Sequence, residues 1–285
     1  MRVLILNGDY PGFLVEQYIG NPGLSKSSYA EQLAARNASL FGVADFYSRN
    51  FIANGHEAAE IHVNNPWLQY AWARENGLRI SAPRSPRTFA ARHVIAIPKP
   101  SARAEEGAPV AARPQHPAPQ EDAEFIDRVR TFVRPVLKPV LKPFSRPIQW
   151  LRRRLKKKWE MKILRAQNEA FRPDLILNQE MAYFASSDFD DLKKPGCLLF
   201  GQIASALPKR DGFENYDLVI SSLPNQVAWF RGHGSKAEVN RLAFDPVVLE
   251  RMGPAPSRDI PLSFVGSLSP DHVKRIQFLE YLAVR

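Results

Sequence analysis

The sequence has little of what several protein classes require. The single cysteine, Cys197, excludes a framework of intrachain disulfides and a zinc site built on several thiolates. No run of about 18 apolar residues occurs, so we expect no membrane-spanning helix. The first residues, MRVLILNGDYPG, lack the small-residue cleavage site of a signal peptide. These absences together predict a cytoplasmic protein.

Motifs of common enzyme classes are also missing. Gly8 and Gly12 follow the first apolar run as Gly-x-x-x-Gly, which differs from the G-x-G-x-x-G of nicotinamide dinucleotide-binding proteins. The chain contains neither a P-loop nor the G-x-S-x-G turn of serine hydrolases. Its six histidines never occur as H-x-x-x-H or H-x-H. We therefore expect no metal site and no resident cofactor.

Charge and proline are concentrated in one part of the chain. The formal net charge is +10, but residues 125–172 hold 15 Lys and Arg against three acidic residues, so the remainder is slightly acidic. Residues 81–147 contain 12 of the 24 prolines and include a stretch with almost no large apolar side chain. Such a stretch buries too little apolar surface to offset the entropy of ordering. We expect residues 81–147 to be a proline-rich, partly disordered insertion.

On both sides of this insertion, short apolar runs alternate with helical periodicity. This alternation predicts βα units on a parallel sheet, hence an α/β, Rossmann-like fold flanked by helices. The expected strands are 2–7, 56–63, 174–178, 197–203, 218–221, 237–242 and 262–265. The glycine- and proline-rich residues 8–27 are expected to form a loop, and residues 28–54 one helix. Further helices are expected at 66–77, 151–171, 186–192, 225–232, 246–252 and from 271 onward.

Ligands of open parallel sheets bind beyond the carboxyl ends of the strands. Asp9 follows the first strand and Glu180 the third, and either carboxylate at such a position can serve as a general base. The alternative is that each is only an acidic residue at a helix start. Gly8 and Gly12 would let a ligand approach the backbone, or would be plain turn glycines.

Four segments carry a family resemblance: DLVISSLPN at 217–225, WFRGHG at 229–234, NRLAFD at 240–245 and PLSFVGSLS at 261–269. Together they resemble GT-B glycosyltransferases of the family-1/family-4 type, in particular the spore-protein CgeB-like group. The resemblance implies an N-terminal acceptor-type domain at 1–80 and 148–257. It also implies that 258–285 begins a donor-type domain, which would need about 100 further residues. The isolated chain is therefore expected to be inactive.

The resemblance implies transfer of a sugar from a nucleotide-diphosphate sugar to a glycan, lipid-linked or protein acceptor, with Asp9 or Glu180 as the base. The residues expected to line the acceptor cleft are Gly8, Tyr10, Gly12 and Gln202. Those expected on the donor side are Gly266, Ser267 and Arg275. The alternative is a non-catalytic binding or scaffold protein that recruits partners through its basic segment.

The basic segment has amphipathic spacing. Ile148, Leu151, Leu155, Trp159 and Ile163 fall on one helical face, and six Lys and Arg residues between 152 and 158 cover the others. Residues 148–159 are thus a candidate for peripheral contact with an anionic membrane. The alternative is a helix that covers the sheet, which we favour for 160–171. No nucleic-acid-binding motif is present, so we do not expect RNA or DNA as a partner.

Overall fold

The computed structural model describes residues 1–93, 159–184, 186–205, 207, 213–254, 263–264 and 273–283. Within them, six strands form one parallel sheet in the order β2-β1-β3-β4-β5-β6. The strands are β1 (Arg2–Asn7), β2 (Glu57–His62), β3 (Leu175–Asn178), β4 (Leu198–Gln202), β5 (Leu218–Ser221) and β6 (Ala237–Val239). This architecture confirms the predicted α/β fold with a Rossmann-like parallel sheet.

The sheet is hydrophobic on both faces because helices cover both. In β1, Val3 and Ile5 pack into one apolar cluster, whereas Leu4 and Leu6 pack into the cluster on the opposite face. Alternate residues of a strand point to opposite faces, so a central strand must be apolar throughout. This explains why RVLILN is a continuous apolar run and not an alternating one.

The described helices are α1 (Pro11–Gly20), α2 (Tyr29–Ala38), α3 (Phe46–Ala53), α4 (Pro66–Glu75), α5 (Pro86–His93), α6 (159–171), α7 (Pro224–Gly232), α8 (Val247–Met252) and α9 (Val273–Ala283). The chain divides into two compact units, Met1–Ala243 and Phe244–Arg285. The first unit contains the whole sheet, and the second contains α8 and α9. Among the described helices, none has both the length and the apolar composition needed to cross a membrane.

The expectation of a loop over residues 8–27 was wrong, because α1 occupies Pro11–Gly20. Pro11 stands in the first turn, where its missing N–H removes no intrahelical hydrogen bond. Phe13, Leu14 and Tyr18 are buried together with Trp67 of α4. Burial of one apolar face outweighs the low helix propensity of the glycines at either end of this segment.

The expectation of one helix over residues 28–54 was also wrong. Helix α2 begins with a capping box between Ser28 and Glu31, but it ends at Ala38, and α3 begins only at Phe46. Between them, Leu40, Gly42 and Ala44 have positive φ angles of 52°, 63° and 43°. Left-handed backbone cannot continue an α-helix. The break turns residues 41–43 toward the carboxyl end of the sheet, where they line a cleft.

Part of the predicted insertion is ordered against the domain. Helix α5 lies within 81–147, its Phe89 packs on Trp67 with ring centroids 5.2 Å apart, and the indole N–H of Trp67 donates to the carbonyl of Arg84. The predicted helix at 186–192 is a short 3-10 turn at Ser186–Phe189. Residues 94–158, including most of the proposed membrane segment 148–159, lie outside the described residues, as does part of the predicted strand 262–265.

Candidate functional site

A cleft of about 580 Å³ opens at the carboxyl end of the sheet. The sheet order reverses between β1 and β3, since β2 lies on one side of β1 while β3 and all later strands lie on the other. Ligand sites of open parallel sheets occur at such a reversal. The cleft is lined by residues 7–11, Arg36, 41–43, Asn64, 179–182 and 202–205.

Glu180 lies over the glycine that follows β1. A Cβ atom on Gly8 would be 2.6 Å from the carboxyl carbon of Glu180, so the close approach requires glycine at position 8. Burial raises the pKa of Glu180 and the nearby charge of Asp9 raises it further, while the backbone N–H of Gly8 donates to the carboxyl and lowers it in part. Glu180 therefore accepts a proton more readily than an ordinary glutamate.

Asp9 lies deeper, in a buried cluster of charged groups. Its Oδ1 accepts from Arg36 Nη2 at 2.9 Å and lies 3.3 Å from His62 Nδ1, and all three side chains are almost fully buried. Burial alone would raise the pKa of Asp9, but the hydrogen bonds and charges of His62 and Arg36 lower it to about 2. For His62 burial is the largest effect and lowers the pKa, against the hydrogen bond and the charge of Asp9, which raise it.

Two asparagines tie this cluster to the turns around it. The side chain of Asn64 forms a pair of hydrogen bonds with the backbone of Asp9, at 2.7 and 2.8 Å. Asn65 caps α4 by accepting from the N–H of Leu68, donates to Asp9 Oδ2, and accepts from the hydroxyl of Tyr18. The start of α4 is thus fixed to the loop after β1, which makes the floor of the cleft rigid.

Glu60 extends the cluster away from the cleft. It lies on β2 two residues before His62, and its carboxyl accepts from the backbone N–H of Ser48 at 3.0 Å and from Asn7 Nδ2 at 3.3 Å. Burial raises the pKa of Glu60 to about 7, against the lowering effect of Ser48 and Arg36. The cluster therefore holds one ionised ion pair, Asp9–Arg36, and a glutamate that titrates near neutrality.

A chain of amide hydrogen bonds forms another wall of the cleft. Gln179 Nε2 donates to Gln202 Oε1 at 2.7 Å, and Gln202 Nε2 donates to the hydroxyl of Tyr47 at 2.6 Å. Because both amide groups use their N–H in this chain, Gln179 Oε1 is left as an acceptor, and it has no hydrogen-bond partner among the described residues.

The structure brings together most of the residues proposed from the sequence. Asp9, Glu180, Gly8, Tyr10 and Gln202 all line the cleft. Gly12 does not belong to the lining; it lies in the first turn of α1 with open space around it. On the donor side, Arg275 is an exposed residue of α9 in the second unit. Gly266 and Ser267 lie outside the described residues.

Sequence reasoning missed Arg36, Glu60 and His62. Nothing in the sequence distinguishes Arg36, the single arginine of α2, from an arginine that faces solvent. For His62 a signal existed: it ends β2 as Asn7 ends β1, and the two residues are paired in the register. Polar residues at the ends of neighbouring parallel strands lie side by side. No group of three or more His, Cys, Asp or Glu within the described ranges has the arrangement of a metal site.

Comparisons with known proteins add no family to this description. Neither a protein-family model, nor a curated protein, nor a solved structure matches the chain. The function of the chain must therefore be inferred from the geometry of the cleft and from the sequence motifs.

Proposed function

We propose that this chain carries the acceptor-binding half of a GT-B glycosyltransferase, which transfers a sugar from a nucleotide-diphosphate sugar to an acceptor hydroxyl in the cleft. The observation that carries the proposal is the position of Glu180, a carboxylate of raised pKa at the point where the strand order reverses. A general base needs a pKa close to the working pH and access to the substrate. The resemblance of residues 217–269 to this enzyme class supports the choice of reaction.

Of the two candidate bases, Glu180 fits better than Asp9. A carboxylate whose pKa is about 2, and which is held by Arg36 on the floor of the cleft, takes up protons poorly at neutral pH. Asp9 instead serves to position the loop after β1 and to raise the pKa of Glu180 through its charge. The departing diphosphate would be stabilised by cations and helix N-termini on the donor side.

The proposal is tested in two measurements. A glycan array with the 285-residue chain measures acceptor binding, and labelled UDP-, GDP- and dTDP-sugars measure transfer by a protein in which the chain is joined to a donor-type domain. E180Q should lower kcat by about 10²- to 10⁴-fold. E16Q, the same change on the exposed face of α1, should leave kcat unchanged.

Two results would contradict this proposal. Absence of both glycan binding and transfer would exclude the function, and an E180Q variant with unchanged kcat would exclude Glu180 as the base. Glycan binding without transfer from any donor would instead support the alternative, a non-catalytic binding protein. That alternative is favoured by one observation: the first unit, Met1–Ala243, contains the whole sheet and the cleft without any residue of the second.

A further inference from the structure

The charge balance of the cleft indicates what kind of ligand it accepts. Three charged side chains line it: Asp9, Arg36 and Glu180. Arg36 and Asp9 neutralise each other at 2.9 Å. Glu180 forms no ion pair with a lysine or arginine of the described residues, so the cleft presents one uncompensated carboxylate. A partly buried carboxylate favours a ligand that brings a positive charge.

Two side chains of the lining each hold a buried polar atom that has no hydrogen-bond partner among the described residues. Gln179 is oriented by Gln202 so that its Oε1 faces no donor among the described residues, and it directly precedes Glu180 in the chain. Arg36 contributes one donor atom without a partner, Nη1. A buried polar atom without a partner costs about 1–3 kcal/mol, which a ligand would recover only by displacing the side chains that cover these atoms.

An aromatic rim borders the same cleft. It consists of Tyr10 and Phe41, which are 70% and 41% exposed and meet edge to face with centroids 6.1 Å apart. Phe41 is held in place because it stacks on the buried Phe13 at 4.5 Å. Exposed rings held by the loop after β1 and the break between α2 and α3 offer a flat apolar surface and a negative π face. Such faces attract cations, and the attraction is stronger where the contact is shielded from water.

From the first and third of these features we propose that the ligand of the cleft is a sugar that carries a protonated amine, with the ammonium held between Glu180 and the aromatic rim. An ammonium group supplies three donors and a positive charge. The apolar face of a sugar ring packs against Tyr10, which is 70% exposed.

This inference rests on the proposed function, because it names the class of acceptor. The two roles of Glu180 oppose each other in one respect, because an ammonium beside the carboxylate lowers the pKa that burial and Asp9 raise. A carboxylate has two oxygens and about four acceptor sites, so it can hold the ammonium and the neighbouring hydroxyl together.

The experiment compares four oligosaccharides by isothermal titration calorimetry with the 285-residue chain. They are a glucosamine trimer, its N-acetylated counterpart, maltotriose and a trimer of galacturonic acid. Neighbouring oxygens lower the pKa of the glucosamine amine well below that of a lysine side chain, so the titrations are run at about pH 6 to keep it protonated. We expect the amine trimer to bind at least about tenfold more tightly than the N-acetylated trimer and maltotriose, and the acidic trimer to bind most weakly.

Variants then locate the effect. E180Q should abolish the preference for the amine while E16Q retains it. Because Tyr10 is largely exposed, Y10A should fold normally and still lower the affinity for the amine trimer. Equal binding of the amine and N-acetylated trimers, or tightest binding of the acidic trimer, would overturn the inference and leave the transferase proposal standing. Binding of none of the four saccharides would overturn the inference, whereas the transferase proposal falls only when the glycan array and the transfer assay are negative as well.

Discussion

A Cβ atom on residue 8 would lie 2.6 Å from the carboxyl carbon of Glu180, so the carboxyl group can keep its place against the loop after β1 only while residue 8 is glycine. The contact joins the two strands between which the sheet order reverses. It determines where the carboxylate of Glu180 stands in the cleft.

G8A is therefore expected to displace the Glu180 carboxyl. The free energy of unfolding should fall by no more than about 1 kcal/mol, because the displaced atoms are the end of a flexible side chain. Affinity for the glucosamine trimer should fall about tenfold or more, because the carboxylate proposed to hold its ammonium group is displaced. Gly12 has open space around it, so G12A is a matched control that should preserve affinity.

A double-mutant cycle separates this contact from other effects of the methyl group. In an E180A background the added methyl group has nothing to displace, so G8A should then have no further effect on affinity. An equal loss from G8A in both backgrounds would show that the contact with Glu180 is not the cause.

R36M should strongly destabilise the first unit. It leaves Asp9, whose side chain is fully buried, without its 2.9 Å partner. Removing one member of a buried ion pair costs about 3–5 kcal/mol, whereas an exposed pair contributes about 0–1 kcal/mol. R165M is the control, since Arg165 and Asp191 form an ion pair whose side chains are 51% and 67% exposed. Urea unfolding measures both, and equal losses would contradict a structural role of the buried pair.

Glu60 should make stability depend on pH. Its pKa rises from an ordinary 4.5 to about 7 on folding, so between these values the folded chain binds more protons than the unfolded chain. The contribution of Glu60 is complete below about pH 4.5 and is lost as pH rises to about 7, a change of up to about 3 kcal/mol. E60Q should remove this pH dependence of stability. E57Q, at the exposed end of the same strand, should retain it.

The comparison with E60Q is needed because other groups of the cluster titrate too. His62 contributes a slope of the opposite sign, since burial lowers its pKa. Asp9 changes the free energy of unfolding with pH only below its ordinary pKa of 3.8. Arg36 stays charged over the whole pH range of the experiment. The difference between the wild type and E60Q across pH 4.5–7 in chemical denaturation thus isolates Glu60. A difference that does not vary with pH would refute the raised pKa.

The basic segment should bind anionic membranes if its amphipathic pattern forms a helix on lipid. Replacing all six Lys and Arg residues between 152 and 158 by Gln should reduce co-sedimentation with phosphatidylserine-containing vesicles by about tenfold or more. Neutral phosphatidylcholine vesicles serve as the control. Equal binding of the wild-type chain to both vesicle types would exclude the membrane as a partner.

Much of the sheet could be predicted from the sequence. Strands β1 to β5 arise from short apolar runs ended by glycine or polar residues, and each was predicted within two residues of its observed bounds. Strand β6 is shorter than predicted, because Val239 is half exposed at the edge of the sheet. The placement of Asp9 and Glu180 in the cleft could also be predicted from the sequence. Each residue directly follows a strand, and residues that follow neighbouring parallel strands lie together at the carboxyl end of the sheet.

The sequence by itself determined the fold class, the two carboxylates at the strand ends and the concentration of charge in residues 125–172, because these follow from local composition and periodicity. Only the tertiary structure decided that Asp9 is paired with Arg36, that Glu180 lies against Gly8, and that residues 28–54 break to form a cleft wall. Pairing and burial depend on residues far apart in the chain. Whether a carboxylate is a buried partner or an accessible base is therefore visible only when those residues meet.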